Sequence, residues 1–200
     1  MSPKDQSSTP IAITQSNAVK PLRWYVIRTS YGRVTKACAI LDSCSIRRYM
    51  PLHRVVKVVK GKRKSIMEPL LPSIVFVYTD PTTIDTFMRR PDVRTFMTYY
   101  YNHFEVSSNG LNPPLVVPDS SMDNFIRATS VDNEHIMVVS PQLCHFKSGD
   151  IVRIIEGEFE GVEGRVARAA GQQRVIVELK GVCLVATAYI PTAFLKPITN

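Results

Sequence analysis

Lys60-Gly61-Lys62-Arg63-Lys64 is the densest cluster of functional side chains in the chain, and the chemistry open to it is the neutralisation of a polyanion. Residues 20–64 hold thirteen Lys and Arg against one acid, Asp42, a local net of +12 in a chain of net +8. The remainder is therefore slightly acidic, at −4. Charge of that density attracts phosphates because each one neutralised releases condensed counterions. The same block also fits a solvated basic face. Other chemistries are poorly supplied. Cys38, Cys44, Cys144 and Cys183 include no C-x-x-C pair and have no metal-like spacing with His53, His103, His135 or His145. Adjacent Cys144 and His145 point to opposite faces if they lie in a strand, so no metal site is expected and the cysteines read as buried and reduced. A nucleophile elbow, a metal triad and clustered carboxylates are absent, and Gly157-x-x-x-Gly161 lacks the Lys-Ser or Lys-Thr of a phosphate loop. Neither catalysis nor a cofactor is expected. A metal-dependent nuclease would need acids where the basic block has almost none.

The elements that would carry this charge follow from periodicity. Two hundred residues at 44% hydrophobic content suffice for one medium domain or two small ones. Residues 1–20 are Ser, Thr, Gln, Asn and Pro with little apolar content, which cannot offset the entropy of ordering, and read as a disordered tail. Residues 22–29 alternate as a strand, with Trp24, Val26 and Arg28 on one face and Tyr25, Ile27 and Thr29 on the other. After Gly32, a helix over 33–45 aligns Val34, Ala37, Cys38 and Leu41, leaving Arg33, Lys36 and Asp42 toward solvent. Residues 47–69 read as two β-segments joined by the basic tip, where Gly61 supplies the backbone angle of a tight turn. Glu68-Pro69 and Pro72 interrupt pairing before a strand over 74–78, with Ile74, Phe76 and Tyr78 on one face and Val75 and Val77 on the other. Asp80-Pro81 caps and opens a helix that ends before Pro91. A Tyr-rich segment, 93–106, supplies one or two strands, and Pro118-Asp119 opens a short helix to about residue 128. The order β-α-β-β-α-β predicts an α+β domain whose mixed antiparallel sheet carries packed helices. No apolar run approaches the ~18–20 residues that cross a bilayer, and the amino terminus has no charged region followed by an apolar core, so a cytoplasmic protein is expected.

Residues 149–166 read G-D-I-V-R-I-I-E-G-E-F-E-G-V-E-G-R-V, a strand, a Gly-rich turn with an aromatic at its tip, and a second strand. With further strands over 174–179, 182–187 and 193–197, this predicts a small β-barrel, and the pattern resembles the KOW motif of transcription elongation factors and some ribosomal proteins. Phe159, flanked by Glu158 and Glu160 and followed by Gly161, is a candidate exposed partner anchor; the alternative is that it folds back to cap the barrel. The expected organisation is a tail at 1–20, a first domain at 21–129, a polar linker at 130–145 and the barrel at 146–198.

Trp24-Tyr25-Val26, the Pro51 segment leading to the basic hairpin, E68-P69-L70-L71-P72-S73-I74-V75-F76-V77 and the Gly-rich segment, in that order, resemble the NusG family over roughly residues 22–198. Val59 to Lys64 followed by Glu68 to Pro72 looks like the specialised RfaH type, and V185-A186-T187-A188-Y189-I190-P191 looks more like the UpxY type, associated with capsular-polysaccharide operons. The resemblance implies an NGN-type α/β sandwich that binds RNA polymerase, a flexible linker, and an SH3-like KOW barrel that recruits a ribosomal protein, a termination factor or an antagonist. It implies a monomer away from membranes that suppresses pausing and termination on selected operons. Ile74 and Phe76, with Trp24 or Arg28, would receive the polymerase clamp helices, although Trp24 fits the core equally well. The family's usual Pro-Gly-Tyr is Pro72-Ser73-Ile74 here, so Phe76 would carry more of that apolar surface. Asp85 and Thr86 would touch the polymerase β subunit, or are ordinary first-turn residues. Arg33, Lys36, Arg54, Lys57, Lys60, Lys62, Arg63 and Lys64 would face upstream or non-template DNA, with Tyr31 or an Arg stacking on bases. RfaH-type members can refold the second domain as a helical hairpin, whereas the β-branched and Gly content here favours the barrel in all states. The competing expectation is a ribosome-associated or general RNA-binding KOW protein.

Overall fold

A computed structural model describes residues 20–106, 108 and 110–198, with backbone alone for residues 143 and 145–150. Apart from Lys20, the expected tail at 1–20 lies outside the described residues. The first sheet is antiparallel. Strand β1 (Arg23–Thr29) lies at its centre, and after α1 (Val34–Ser43) the short β2 (Arg47–Tyr49) pairs with β5 (Ile74–Thr79). Between them β3 (Leu52–Val59) and β4 (Lys62–Pro69) pair only with each other, as a separate two-stranded ribbon. Helices α2 (Pro81–Met88) and α3 (Pro91–Arg94) lead into β6 (Met97–Tyr99) and β7 (Val116–Val117), both paired with β1. The resulting order is β2-β5-β1-β6, with β7 alongside β1.

Alternation along β1 and β5 builds two cores. Tyr25, Ile27, Val75 and Val77 pack under α1, α2 and α3, while Trp24, Val26 and Phe76 pack under α4 (Asp119–Thr129) through Met122, Phe125 and Ala128. The stripe expected on α1, namely Val34, Ala37, Cys38 and Leu41, is its buried face. One expectation is corrected: Val93 is not in a strand but in α3, because Pro91 opens a helical turn with Asp92 beside it; the strand itself is Met97–Tyr99, followed by an isolated antiparallel bridge between Tyr101 and Pro114.

Asp80 caps α2 by accepting from the backbone N–H groups of Thr82 (2.9 Å) and Thr83 (3.1 Å). Hydrogen bonds from Thr83, first its hydroxyl and then its amide, hold the Asp80 carboxyl below the usual carboxylate range. A depressed folded pKa contributes stability above the unfolded value of about 4, lost as pH falls through the folded one. Asp80→Ala is therefore expected to lower the thermal midpoint by a few degrees at neutral pH, with the gap closing in acid, as read from paired melts across pH.

Beyond α4 the chain forms a six-stranded antiparallel sheet of order β13-β9-β10-β11-β12-β8. Its strands are β8 (Met137–Val139), β9 (His145–Ile154), β10 (Glu163–Ala169), β11 (Gln172–Leu179), β12 (Cys183–Tyr189) and β13 (Leu195–Pro197). These correspond to the β-rich unit expected from the sequence. Within 130–145, β8 pairs with β12 through Val139 to Leu184, Val138 to Val185 and Met137 to Ala186. Just before it, the buried Arg174 guanidinium donates to the His135 carbonyl (2.8 Å) and the Thr187 carbonyl (2.6 Å). One apolar cluster runs without a break from Trp24 and Phe76 through α4 to Val162, Val175, Val177 and Val185.

Candidate functional site

The β3–β4 ribbon turns through Lys60 (φ 51°) and Gly61 (φ 73°), two left-handed residues in succession, the geometry whose twist suits a two-residue hairpin. Cross-strand pairing divides its side chains. Lys57, Lys62 and Lys64 share one face with Val55, Val59 and Ile66; Arg54 and Arg63 share the other with Val56, Val58 and Met67. The eight cations proposed for nucleic acid do not form one patch. Lys57 bonds Glu68 on the neighbouring strand. Arg54 is engaged outside the ribbon: Nε donates to Asp132 Oδ1 (3.1 Å), Nη2 to Asp132 Oδ2, and Nη1 to Ser65 Oγ (3.2 Å). Lys60, Lys62, Arg63 and Lys64 are exposed and have no ion-pair partner among the described residues. Arg33 and Lys36 instead sit over the Phe96 ring, at 5.9 and 4.9 Å from its centroid.

Phe96 also lines a cleft of about 500 Å³ with Arg28, Thr29, Ser30, Tyr31, Ser73 and Arg94. Tyr31 is 91% exposed at its mouth. The Thr29 hydroxyl is buried in its wall with no hydrogen-bond partner among the described residues. The cleft thus combines the exposed Tyr31 ring with two guanidinium groups, those of Arg28 and Arg94. Arg28, expected with Trp24 and Phe76, faces this cleft.

Where an apolar depression was expected around Ile74 and Phe76, the space is filled. Phe76 is 0% exposed and packs edge-to-face on Phe125 of α4, with centroids 5.4 Å apart. Trp24 is buried beside Tyr78 (4.9 Å), and the Arg47 guanidinium covers both rings at 5.3 and 4.9 Å. Ile74 remains half-buried. The cause is local: a strand period of two sends every second β5 side chain beneath α4. On the opposite side, Thr86 is exposed beside a hollow of about 340 Å³ lined also by Cys44, Ile46, Thr82, Thr83, Phe87 and Arg90. Asp85 is held by Arg89 at 2.7 Å, a helical i,i+4 pair.

Phe159 is not at an exposed tip. It is 3% exposed within the cluster that α4 shares with the second sheet. Gly157 (φ 89°) and Gly161 (φ 80°) bend the loop back, and the Glu160 and Gly161 amides donate to the Gly157 (3.1 Å) and Ile154 (2.7 Å) carbonyls. Glu160 stays exposed, while the Gly161 carbonyl accepts from Arg127 Nη1 (2.8 Å). Asn124 makes a reciprocal pair with the Glu163 backbone, donating to its carbonyl (2.7 Å) and accepting from its amide (2.8 Å). Asn133 Nδ2 donates to Glu158 Oε2 (2.9 Å). Sequence reasoning missed Asn124, Arg127 and Asp132. The only available signal was an asparagine in mid-helix, where its propensity is poor.

Burial pushes the thiols of Cys38 and Cys144 up, and that of Cys183 up to about 12, which leaves these three poor nucleophiles. Among the described residues no three His, Cys, Asp or Glu gather as a metal site, and no helix is long and apolar enough to cross a membrane. What the surface does present is exposed cation and a cleft lined by the exposed Tyr31, while the apolar faces of α4 and the second sheet are buried against each other. A family model described as "Transcription termination factor nusG" matches residues 22–126.

Proposed function

The chain belongs to the NusG family, and on that premise we propose that it is a specialised, operon-selective member that suppresses pausing and termination. The family is one of transcription elongation and termination factors that work on RNA polymerase, and it is not an enzyme family. The finer reading rests on one observation above all: four exposed cations with no ion-pair partner among the described residues, Lys60, Lys62, Arg63 and Lys64, at the tip of a ribbon that pairs with no other strand. Flexible cations of this kind suit phosphates without reading sequence, as befits a factor riding beside upstream DNA while the polymerase supplies most of the affinity. Sequence selection needs a second feature, and the Tyr31 cleft supplies the chemistry for it, an exposed ring for stacking a displaced base with Arg28 and Arg94 nearby.

In this proposal Ile74, Asp85 and Thr86 lie toward the polymerase, Trp24 and Phe76 shape the clamp-helix face from beneath, and Arg28, Lys36 and Arg33 lie along the nucleic-acid path. The second unit is a KOW domain that recruits a ribosomal protein, a termination factor or an antagonist through the exposed Glu160 and, once the turn has left α4, through Phe159 and Gly161. A capsular-polysaccharide operon is the proposed target.

The test is retention of full-length chain on core RNA polymerase, competed by isolated clamp helices, followed by transcription through a terminator with and without the protein. Binding to ribosomal RNA without polymerase binding would replace this reading with that of an RNA-binding KOW protein. Tyr31→Ala is expected to weaken single-stranded DNA binding about tenfold, from the loss of one stacked base, with little change in the thermal midpoint. Unchanged affinity would remove Tyr31 from the nucleic-acid path.

A further inference from the structure

Arg54 differs from the other cations of the ribbon in having a partner for each of its three guanidinium nitrogens. Its planar fork meets Asp132 through two N–H groups, and its third nitrogen is directed at Ser65. The fork-to-carboxylate arrangement is the one arginine also uses toward phosphate, so the same face of the guanidinium cannot serve both. Asp132 is held in place from two directions. Upstream, the Tyr49 hydroxyl ties the end of α4 to β2, at 2.7 Å from Thr129 Oγ1 and 3.3 Å from Ser130 Oγ. Downstream, Asn133 is bonded to Glu158 in the Gly-rich turn. A carboxylate on a loop tied at both sides is thus delivered to the base of a ribbon whose tip carries four cations with no ion-pair partner among the described residues.

We propose that Asp132 is an internal stand-in for a phosphate, occupying Arg54 and so limiting how many phosphates the ribbon neutralises. This rests on the reading of the ribbon as a nucleic-acid contact. The arrangement separates the ribbon into a tip open to polyanion and a base closed to it, with Lys57 likewise paired internally to Glu68. The pair is bidentate, and both partners keep substantial exposure, 41% and 59% of their side chains, so a neutral side chain at 132 frees the fork without leaving a buried charge unpaired. The function of such a limit is discrimination. Non-specific attachment to DNA rises with every phosphate engaged, and holding one arginine back lowers it without removing charge from the tip.

The experiment measures affinity of the full-length chain for an arbitrary labelled DNA duplex from about 50 to 200 mM salt, where each phosphate contact adds about 0.9 to the slope of log affinity against log salt. Asp132→Asn is expected to steepen the slope by about one, and Arg54→Ala/Asp132→Asn to return it to the wild-type value. Arg54→Ala alone should match wild type, since the residue it removes is already occupied. An unchanged slope in Asp132→Asn, alongside a flattened one in Lys62→Ala/Arg63→Ala, overturns the inference while leaving the ribbon as a DNA contact. A gain that persists in the double variant also overturns it, because loss of a distant negative charge would then suffice. Duplex binding that is absent in wild type, or indifferent to Lys62 and Arg63, removes the nucleic-acid reading itself, and this inference with it.

Discussion

Gly164→Val is expected to lower the thermal midpoint by about 10 °C and to strip hydrogen-exchange protection from β9, β10 and β11 first. Gly164 differs from Gly157 and Gly161, whose positive φ is the reason they are glycines; the constraint at 164 is space. A Cβ there would lie 2.4 Å from the Ile176 carbonyl oxygen, 2.7 Å from Val175 Cγ1 and 3.0 Å from the Ile176 carbonyl carbon. Two of those three atoms are backbone, in a strand held on both sides by pairing, so no rotamer change relieves the clash. Relief requires β10 to move off β11, and such overpacking costs on the order of 3 kcal/mol or more, which corresponds to about 10 °C in a chain of this size. Differential scanning calorimetry and amide exchange on the full chain check this. A midpoint within two or three degrees of wild type would mean that β10 can shift at little cost.

Phe76→Ala is the second large effect, and it separates two roles for one residue. A fully buried phenylalanine set against Phe125 leaves a cavity when truncated, and the usual loss is about 3–5 kcal/mol. Stability should therefore fall steeply, and any loss of polymerase binding should follow the fraction unfolded. Ile74→Ala, at a half-buried position on the same face, should cost less stability and, under the proposed function, weaken polymerase retention at temperatures where the chain stays folded. Near-wild-type melting of Phe76→Ala together with lost retention would make Phe76 a direct contact and would require α4 to lift from the sheet.

Much of the first unit was legible because its signals are local. Alternation in β1 and β5, the Asp80 cap and the Lys60-Gly61 turn are each decided within a few residues, and each has its expected form. What was not legible depends on partners far along the chain. Phe159 looks exposed from its neighbours Glu158 and Glu160, yet it is covered because α4, some thirty residues earlier, offers it an apolar face. Val93 is β-branched and reads as strand, but its proline two residues earlier selects a turn of helix. Residues 137–139 look like connector by their polar surroundings; their pairing to β12 follows from Val185 and Ala186, almost fifty residues away. The basic block was visible in composition, whereas the division between its occupied base and open tip needed Asp132, which lies outside the block entirely.

The pairing of β8 with β12, pinned by Arg174 on the His135 carbonyl, also sets a length. If the second unit leaves α4, it takes residues 136–139 with it, and the leash remaining is residues 130–135. Six residues fully extended span about 20 Å, so departure is a pivot within that radius, and the unit's effective concentration at its own docking face stays high. Under the proposed function, a partner that captures the second unit therefore has to come to the polymerase's immediate surface, or first undo β8 to lengthen the leash.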